Sequence, residues 1–497
     1  MKTMSASASK KKRKELNEQG LSVKEVALQQ EKEKKAKTTR NTIIFIAVIL
    51  LCVACIIFLL KTLADKKYAP EYDVSKPVAT IGDETISVPV YNFFYSMSAT
   101  NFYNSYSFMI QSGKSFSEQS LGDGTLEDLM INNVKGSLED VYNIYAKAKE
   151  EGYELTDEEK QTIDQALDTV KEEAKNYGYS NVDHYMSERF GRGCDLDSYE
   201  EFLTVYTTYI GFLNKKQTEF TPSAEELSAK YTEDPSAFDF VTFTYTTTAA
   251  EAEEKDEDDK DSDPVYTDEA KAKAKETAEG YKEEMPEKAS TVTYQKTSVE
   301  SYVTKEIAEW LFDSARKEGD AEVFAKDETN TTYYTVRFDG RDDNDYRLAN
   351  AYVISIAKTT GEVKEGEVSA DEKLSKLMDG ITAEMSDDEF TKLATDNGLT
   401  ANKNTYPRTS SIEGLADFLY DGSRKAGDFT KLENDTTYYV VRFVGLEEDT
   451  YRDTLIKQSM WNEYLTEISS TNEIQIDEDQ LKNANTDLMF TSQSSES

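Results

Sequence analysis

Histidine occurs once in the 497 residues, cysteine three times and tryptophan twice. With His184 as the only imidazole, no pair of histidines can hold a metal or relay a proton, and the sequence offers no nucleophile beside a base and no glycine-rich phosphate loop. Cys52 and Cys55 fall in one apolar run, which leaves Cys194 alone after it. No intrachain disulfide is possible beyond that run, and stability there must come from packed cores. Positive charge is scarce after the first forty residues. Residues 1–40 hold twelve Lys/Arg against five Asp/Glu, so from a net charge of -39 the remainder carries -46. A body this acidic is repelled by phosphate backbones, which argues against nucleic acid as a partner. The densest acidic stretch, Glu251 to Asp263, has nine carboxylates but lacks the spaced ligands and glycine of an EF-hand loop. It reads as a solvated insertion, and neither a metal nor a cofactor is expected.

Only one long hydrophobic run is present. Ile43 to Leu60 contains eighteen residues without a charge, enough for roughly 27 Å of helix and hence a bilayer core. The basic head precedes it, so the positive-inside bias keeps the N-terminus cytoplasmic and places the acidic body outside. A cleaved signal peptide is the alternative; the forty-residue head and the length of the run favour a retained single-pass anchor. The expected order begins with a cytoplasmic segment at 1–40, a transmembrane helix at 41–63 and a connector at 64–75.

A short hairpin follows, with Val78, Ile81, a Gly82-Asp83 turn, Ile86 and Val88. Then Leu126, Met130, Val134, Leu138, Val141 and Tyr142 recur at helical steps, and Thr156 with Glu159 forms a capping box before the stripe Ile163, Leu167, Val170. Ser223 with Glu226 opens a further helix. Residues 76–237 therefore read as a mostly helical domain. In the second half, TTYYTVRFDG at Thr331 to Gly340 returns as TTYYVVRFVG at Thr436 to Gly445, and WLFDSARKEGD at Trp310 returns as FLYDGSRKAGD at Phe418. Two copies of one domain are implied, at 238–345 with an acidic insertion at 249–265, and at 346–447. Residues 448–480 read as a C-terminal helix and strand, and 481–497 as a flexible tail.

The segments VATIGDETISVPVYNFF, AKAKEEGYELTDEEKQTIDQAL and TPSAEELSAKYTEDPSAFDFVTF, in this order, resemble the N-terminal chaperone module of the PrsA/SurA group of extracytoplasmic foldases. The two copies resemble parvulin prolyl isomerase domains, the second copy more closely, with EFTKLATDNGL similar to a helix of that family. The resemblance implies an α+β fold in which a SurA-like helical module is completed by the returning C-terminal helix and strand, with two tandem parvulin-like domains. It also implies two histidines in each active domain. Here Tyr352 and Tyr439 stand at those positions in the second copy, and Phe240 and Tyr334 in the first.

No catalytic residue is therefore assigned. The candidate peptide-binding residues are Tyr352, Phe390, Phe418, Tyr420 and Tyr439 of the second copy, with Tyr103 and Tyr106 from the aromatic run Phe93 to Phe108. The expectation is a membrane-anchored chaperone that binds unfolded or newly exported polypeptides outside the cell membrane, its parvulin domains mainly non-catalytic. Two alternatives stay open: an active peptidyl-prolyl cis-trans isomerase with an atypical site, and a non-chaperone scaffold or sensor for one cell-envelope partner.

Overall fold

The computed structural model describes residues 70–179, 181–253, 264–359 and 368–490. These form a mixed α+β architecture with fourteen α-helices and several small sheets. Among the described residues no helix is long and apolar enough to cross a membrane. The expected span, the basic head and most of the acidic run lie outside the described residues. The chain divides into two compact units, Met1–Thr221 with Trp461–Ser497, and Pro222–Met460.

The first unit begins with a hairpin of β1 (Pro77–Ile81) and β2 (Glu84–Ser87), turned by Gly82 at φ +56°. Ser87 then caps α1 (Val88–Tyr106), its hydroxyl accepting from the Val90 amide, with Pro89 in the first turn where no amide is needed. The N-terminal two thirds of α1 is buried on every side, the mark of a helix inside a core rather than on its surface. A two-residue ladder, β3 (Ser120–Leu121) with β4 (Gly124–Thr125), leads to α2 (Leu126–Glu150). The capping boxes Thr125 with Asp128 and Thr156 with Glu159 start α2 and α3 (Asp157–Asn176). Helices α4 (Val182–Phe190) and α5 (Leu196–Glu219) complete the packing. At the centre Phe93 meets Phe190 and Tyr199 at 5.0 Å, and Phe94 meets Phe202 edge-on at 4.9 Å.

The chain's far end is built into this core. Strand Ile474–Ile476 pairs antiparallel with β1, Ala79 opposite Ile476 and Ile81 opposite Ile474. The Asn143 amide donates to the carbonyls of Ser469 and Asn472 and accepts from the Asn472 amide, fixing the turn before that strand. Residues 481–490, expected within the flexible tail, instead bring Leu488 and Phe490 into the core. Phe490 stacks between Tyr103 and Phe116 at 4.6 and 5.5 Å, and the Gly113 and Phe116 amides donate to the carbonyls of Phe490 and Leu488.

The second unit starts with α6 (Ala224–Glu233). Here the division departs from the expected boundary at 237, because Leu227 and Tyr231 of α6 pack with Phe238, Leu455, Ile456 and Met460. The first copy runs β5 (Phe240–Ala249), α7 (Asp268–Gly280), β6 (Ser290–Gln295), α8 (Lys296–Tyr302), α9 (Lys305–Phe312), β7 (Ala321–Ala325), β8 (Thr332–Asp342). The second runs β9 (Arg347–Ala357), α10 (Ala370–Gly380), α11 (Asp387–Asp396), β10 (Asn402–Tyr406), α12 (Leu415–Leu419), β11 (Phe429–Glu433), β12 (Thr437–Thr450). Helix α13 (Tyr451–Ser469) carries the division between the units.

Each copy forms a four-stranded antiparallel sheet, β6-β5-β8-β7 and β10-β9-β12-β11. The repeated decapeptide thus lies on an inner strand twice. The repeated RKxGD segments are built alike: Arg316 lies over Trp310 at 4.6 Å between Asp313 and Asp320, and Arg424 over Phe418 at 4.0 Å between Asp421 and Asp428. The glycine after each basic pair, Gly319 or Gly427, has φ near +90° and donates to the backbone of the inner strand at Phe338 or Phe443.

Candidate peptide-binding surfaces

The β9 to β12 register decides which candidates of the second copy can act together. Tyr352 faces Arg442 across the ladder, while Tyr439 faces Ser355. Tyr439 lies three positions before Arg442, an odd step, so the two tyrosines point to opposite faces of the sheet. One face carries Tyr352, Ile354, Ile356 and Val440 under α10 and α11; the other carries Val353, Val441, Phe443 and Tyr439 under α12. The candidate peptide-binding residues of the second copy are divided between the two faces.

On the first face the Tyr352 ring lies 5.6 Å from the fully buried Phe390, with the Lys403 ammonium 5.7 Å from its centre. Beside it, the buried guanidinium of Arg442 donates to Asp387 Oδ1 at 2.6 Å and to the Met385 carbonyl. Burial, and then the Asp387 carboxylate, raise the Tyr352 pKa, which keeps its hydroxyl protonated at neutral pH. This face can present a half-buried aromatic ring and a fixed ion pair. Arg442 and Asp387 were not among the expected residues, although Arg337 and Arg442 repeat at the same place in the duplicated strand.

The other face is committed to structure. The Phe418 ring is buried and covered by Arg424. Tyr420 donates to the Tyr406 carbonyl at 2.7 Å and accepts from the Ala349 amide at 3.2 Å, and burial pushes its pKa up to about 12. The Tyr439 hydroxyl takes a hydrogen bond from the Asn434 amide at 3.2 Å. Phe418 is buried, while Tyr420 and Tyr439 are half-buried with their hydroxyls engaged within the copy.

The first copy corrects the expected correspondence. Arg337, the counterpart of Arg442, faces Thr244, so Thr244 rather than Phe240 occupies the place of Tyr352. The Phe240 ring instead stacks on Tyr451 at 5.7 Å, and Tyr334 is buried in the copy's core. Matching the two first strands by sequence places Phe240 four residues too early, because the register is set by pairing with β8 and β12 and not by the strand's own residues.

In the first unit the aromatic run separates into inner and outer parts. Tyr103 is held against Phe490. Tyr106 is 47 % exposed and touches Phe102 and Phe108, with ring centres at 5.1 and 6.3 Å. Phe108 is 82 % exposed and Met109 43 %. Helix α1 runs into them and a turn at Ser112-Gly113 follows, and no apolar segment of the described unit covers them. His184, on α4, is exposed. No protein-family model matches this chain, and no curated protein matches its sequence.

Proposed function

We propose that the chain is a membrane-anchored, extracytoplasmic chaperone that holds unfolded or newly exported polypeptides, with two parvulin-like domains that do not catalyse isomerisation. The observation that carries this reading is the outward-facing group Tyr106, Phe108 and Met109 at the end of α1. A phenylalanine left 82 % exposed on a folded core, beside a second exposed aromatic and a flexible thioether, suits transient contact with apolar segments of many sequences. The strongly acidic body supports the same reading, because self-repulsion keeps a client-loaded complex soluble.

Against catalysis stand the substitutions at both family histidine positions and the separation of Tyr352 from Tyr439 onto opposite faces. Isomerisation breaks no bond, but lowering a barrier of about 18–20 kcal/mol requires a site that grips the twisted amide from converging sides. Two groups across a sheet from one another cannot converge. The test is light scattering of an unfolding, unrelated protein with residues 66–497 added. Suppression of aggregation at near-stoichiometric ratio is expected, with little from residues 346–447 alone. No suppression, together with tight binding to one native partner, would favour the scaffold reading.

A further inference from the structure

In the first copy, α8 follows directly on β6, and the two create a shallow pocket of about 470 Å³ lined by Tyr294, Thr297, Ser298, Ser301 and Tyr302. It is an open surface site and not an enclosed cavity, since Thr297, Ser298, Ser301 and Tyr302 are all exposed. Its chemistry is selective by what it omits. No charged side chain lines it, in a body that carries -46. An anionic ligand would find no cation there, and a cationic one no carboxylate. What remains is two aromatic rings and a row of hydroxyls along one side of α8.

Tyr302 is held in place although 49 % of it is exposed. Its hydroxyl shares a hydrogen bond of 2.7 Å with that of Tyr245, and its ring meets Tyr294 and Tyr245 edge-on at 5.2 and 5.7 Å. A fixed, exposed ring loses little rotamer entropy when a ligand covers it. We infer that this pocket binds a neutral saccharide, whose C–H face lies on the Tyr302 ring while its hydroxyls exchange hydrogen bonds with Thr297 and Ser298 and donate to Ser301, whose own hydroxyl donates to the Thr297 carbonyl at 3.1 Å. A saccharide matches both parts of the lining, since it has an apolar face and hydroxyls that donate as well as accept. The Tyr245 hydroxyl stays protonated at neutral pH, its pKa being pushed up to about 12 first by that hydrogen bond and then by burial. This inference does not depend on the chaperone reading.

The experiment titrates the full chain, held in lipid nanodiscs, with uncharged chitotriose, cellotriose and maltotriose, followed by calorimetry and saturation-transfer NMR. At least one should bind with a dissociation constant of about 1 mM. Tyr302→Ala should weaken that binding by about tenfold or more, and Tyr302→Phe should retain most of it. Ser298→Lys, at an exposed helix position, fills the pocket and should abolish binding even if Tyr302→Ala perturbs the fold. The inference is overturned if no saccharide binds at about 10 mM, or if Ser298→Lys binds as wild type does. Capture of a neutral proline-rich peptide at the same tyrosines, without saccharide binding, overturns it as well.

Discussion

Gly319 and Gly427 occupy the same place in the two copies and share the left-handed conformation, yet their surroundings differ. A Cβ on Gly319 would meet nothing within 4 Å, whereas one on Gly427 would run into the Ala383 carbonyl oxygen. Gly319→Ala should therefore cost only the conformational term, about 1–2 kcal/mol, and Gly427→Ala clearly more; denaturant unfolding of the two variants checks the order. A second residue, Asp239, links stability to pH. Its carboxyl is raised above the ordinary aspartate range, by burial first, although the Tyr231 hydroxyl donating at 2.8 Å and Arg341 pull the other way. A raised folded-state value means that protonation favours the fold, so this contribution is full below the ordinary aspartate range near pH 4 and is lost as pH rises through the raised value. Asp239→Asn, which can still accept from Tyr231, should make the second unit more stable at neutral pH and flatten its pH dependence just above pH 4. Unchanged thermal unfolding from acid to neutral pH in wild type would contradict this.

Elements carry the same contrast between what local sequence shows and what partners decide. The C-terminal segment 481–490 has the polar, serine-flanked look of a loose end, but Phe490 is buried between Tyr103 and Phe116. Phe490→Ala should destabilise the first unit by about 3–5 kcal/mol and speed hydrogen exchange at the Gly113 and Phe116 amides, which donate to this segment. Exchange rates equal to wild type would show that the segment is not part of the core. The capping boxes at Thr156 and Ser223 were legible because a cap is a four-residue signal. So were the duplicated inner strands, since β8 and β12 carry one pattern twice. The strand register was not: matching β5 to β9 by sequence misplaced the pairing by four residues, because register is set across the ladder to β8 and β12. Arg442 escaped notice for a related reason. A strand arginine reads as solvent-facing until Asp387, fifty-five residues away, and the Met385 carbonyl are brought against it.

At the scale of the whole molecule, labour is divided in this proposal between two units, the first of which the chain leaves after Thr221 and re-enters at Trp461. The first unit is closed by the chain's own end and exposes Phe108 and its neighbours. The second carries the duplicated sheets, which on the proposed function supply further weak sites and reach rather than chemistry. Repeats of this kind can raise avidity without any one contact being tight. Prolyl-peptide exchange in the presence of the protein should stay close to the uncatalysed rate, on the order of tens of seconds at 25 °C; turnover like that of an intact parvulin would restore the isomerase reading. The most direct measurement is the affinity of residues 66–497 for a labelled, permanently unfolded polypeptide, followed by fluorescence anisotropy in wild type and in the double variant Phe108→Ser, Met109→Ser. Saturable binding by wild type, weakened about tenfold in the variant without loss of folded stability, is the predicted result. Equal affinity in the two proteins, or no binding by wild type, would contradict the central claim.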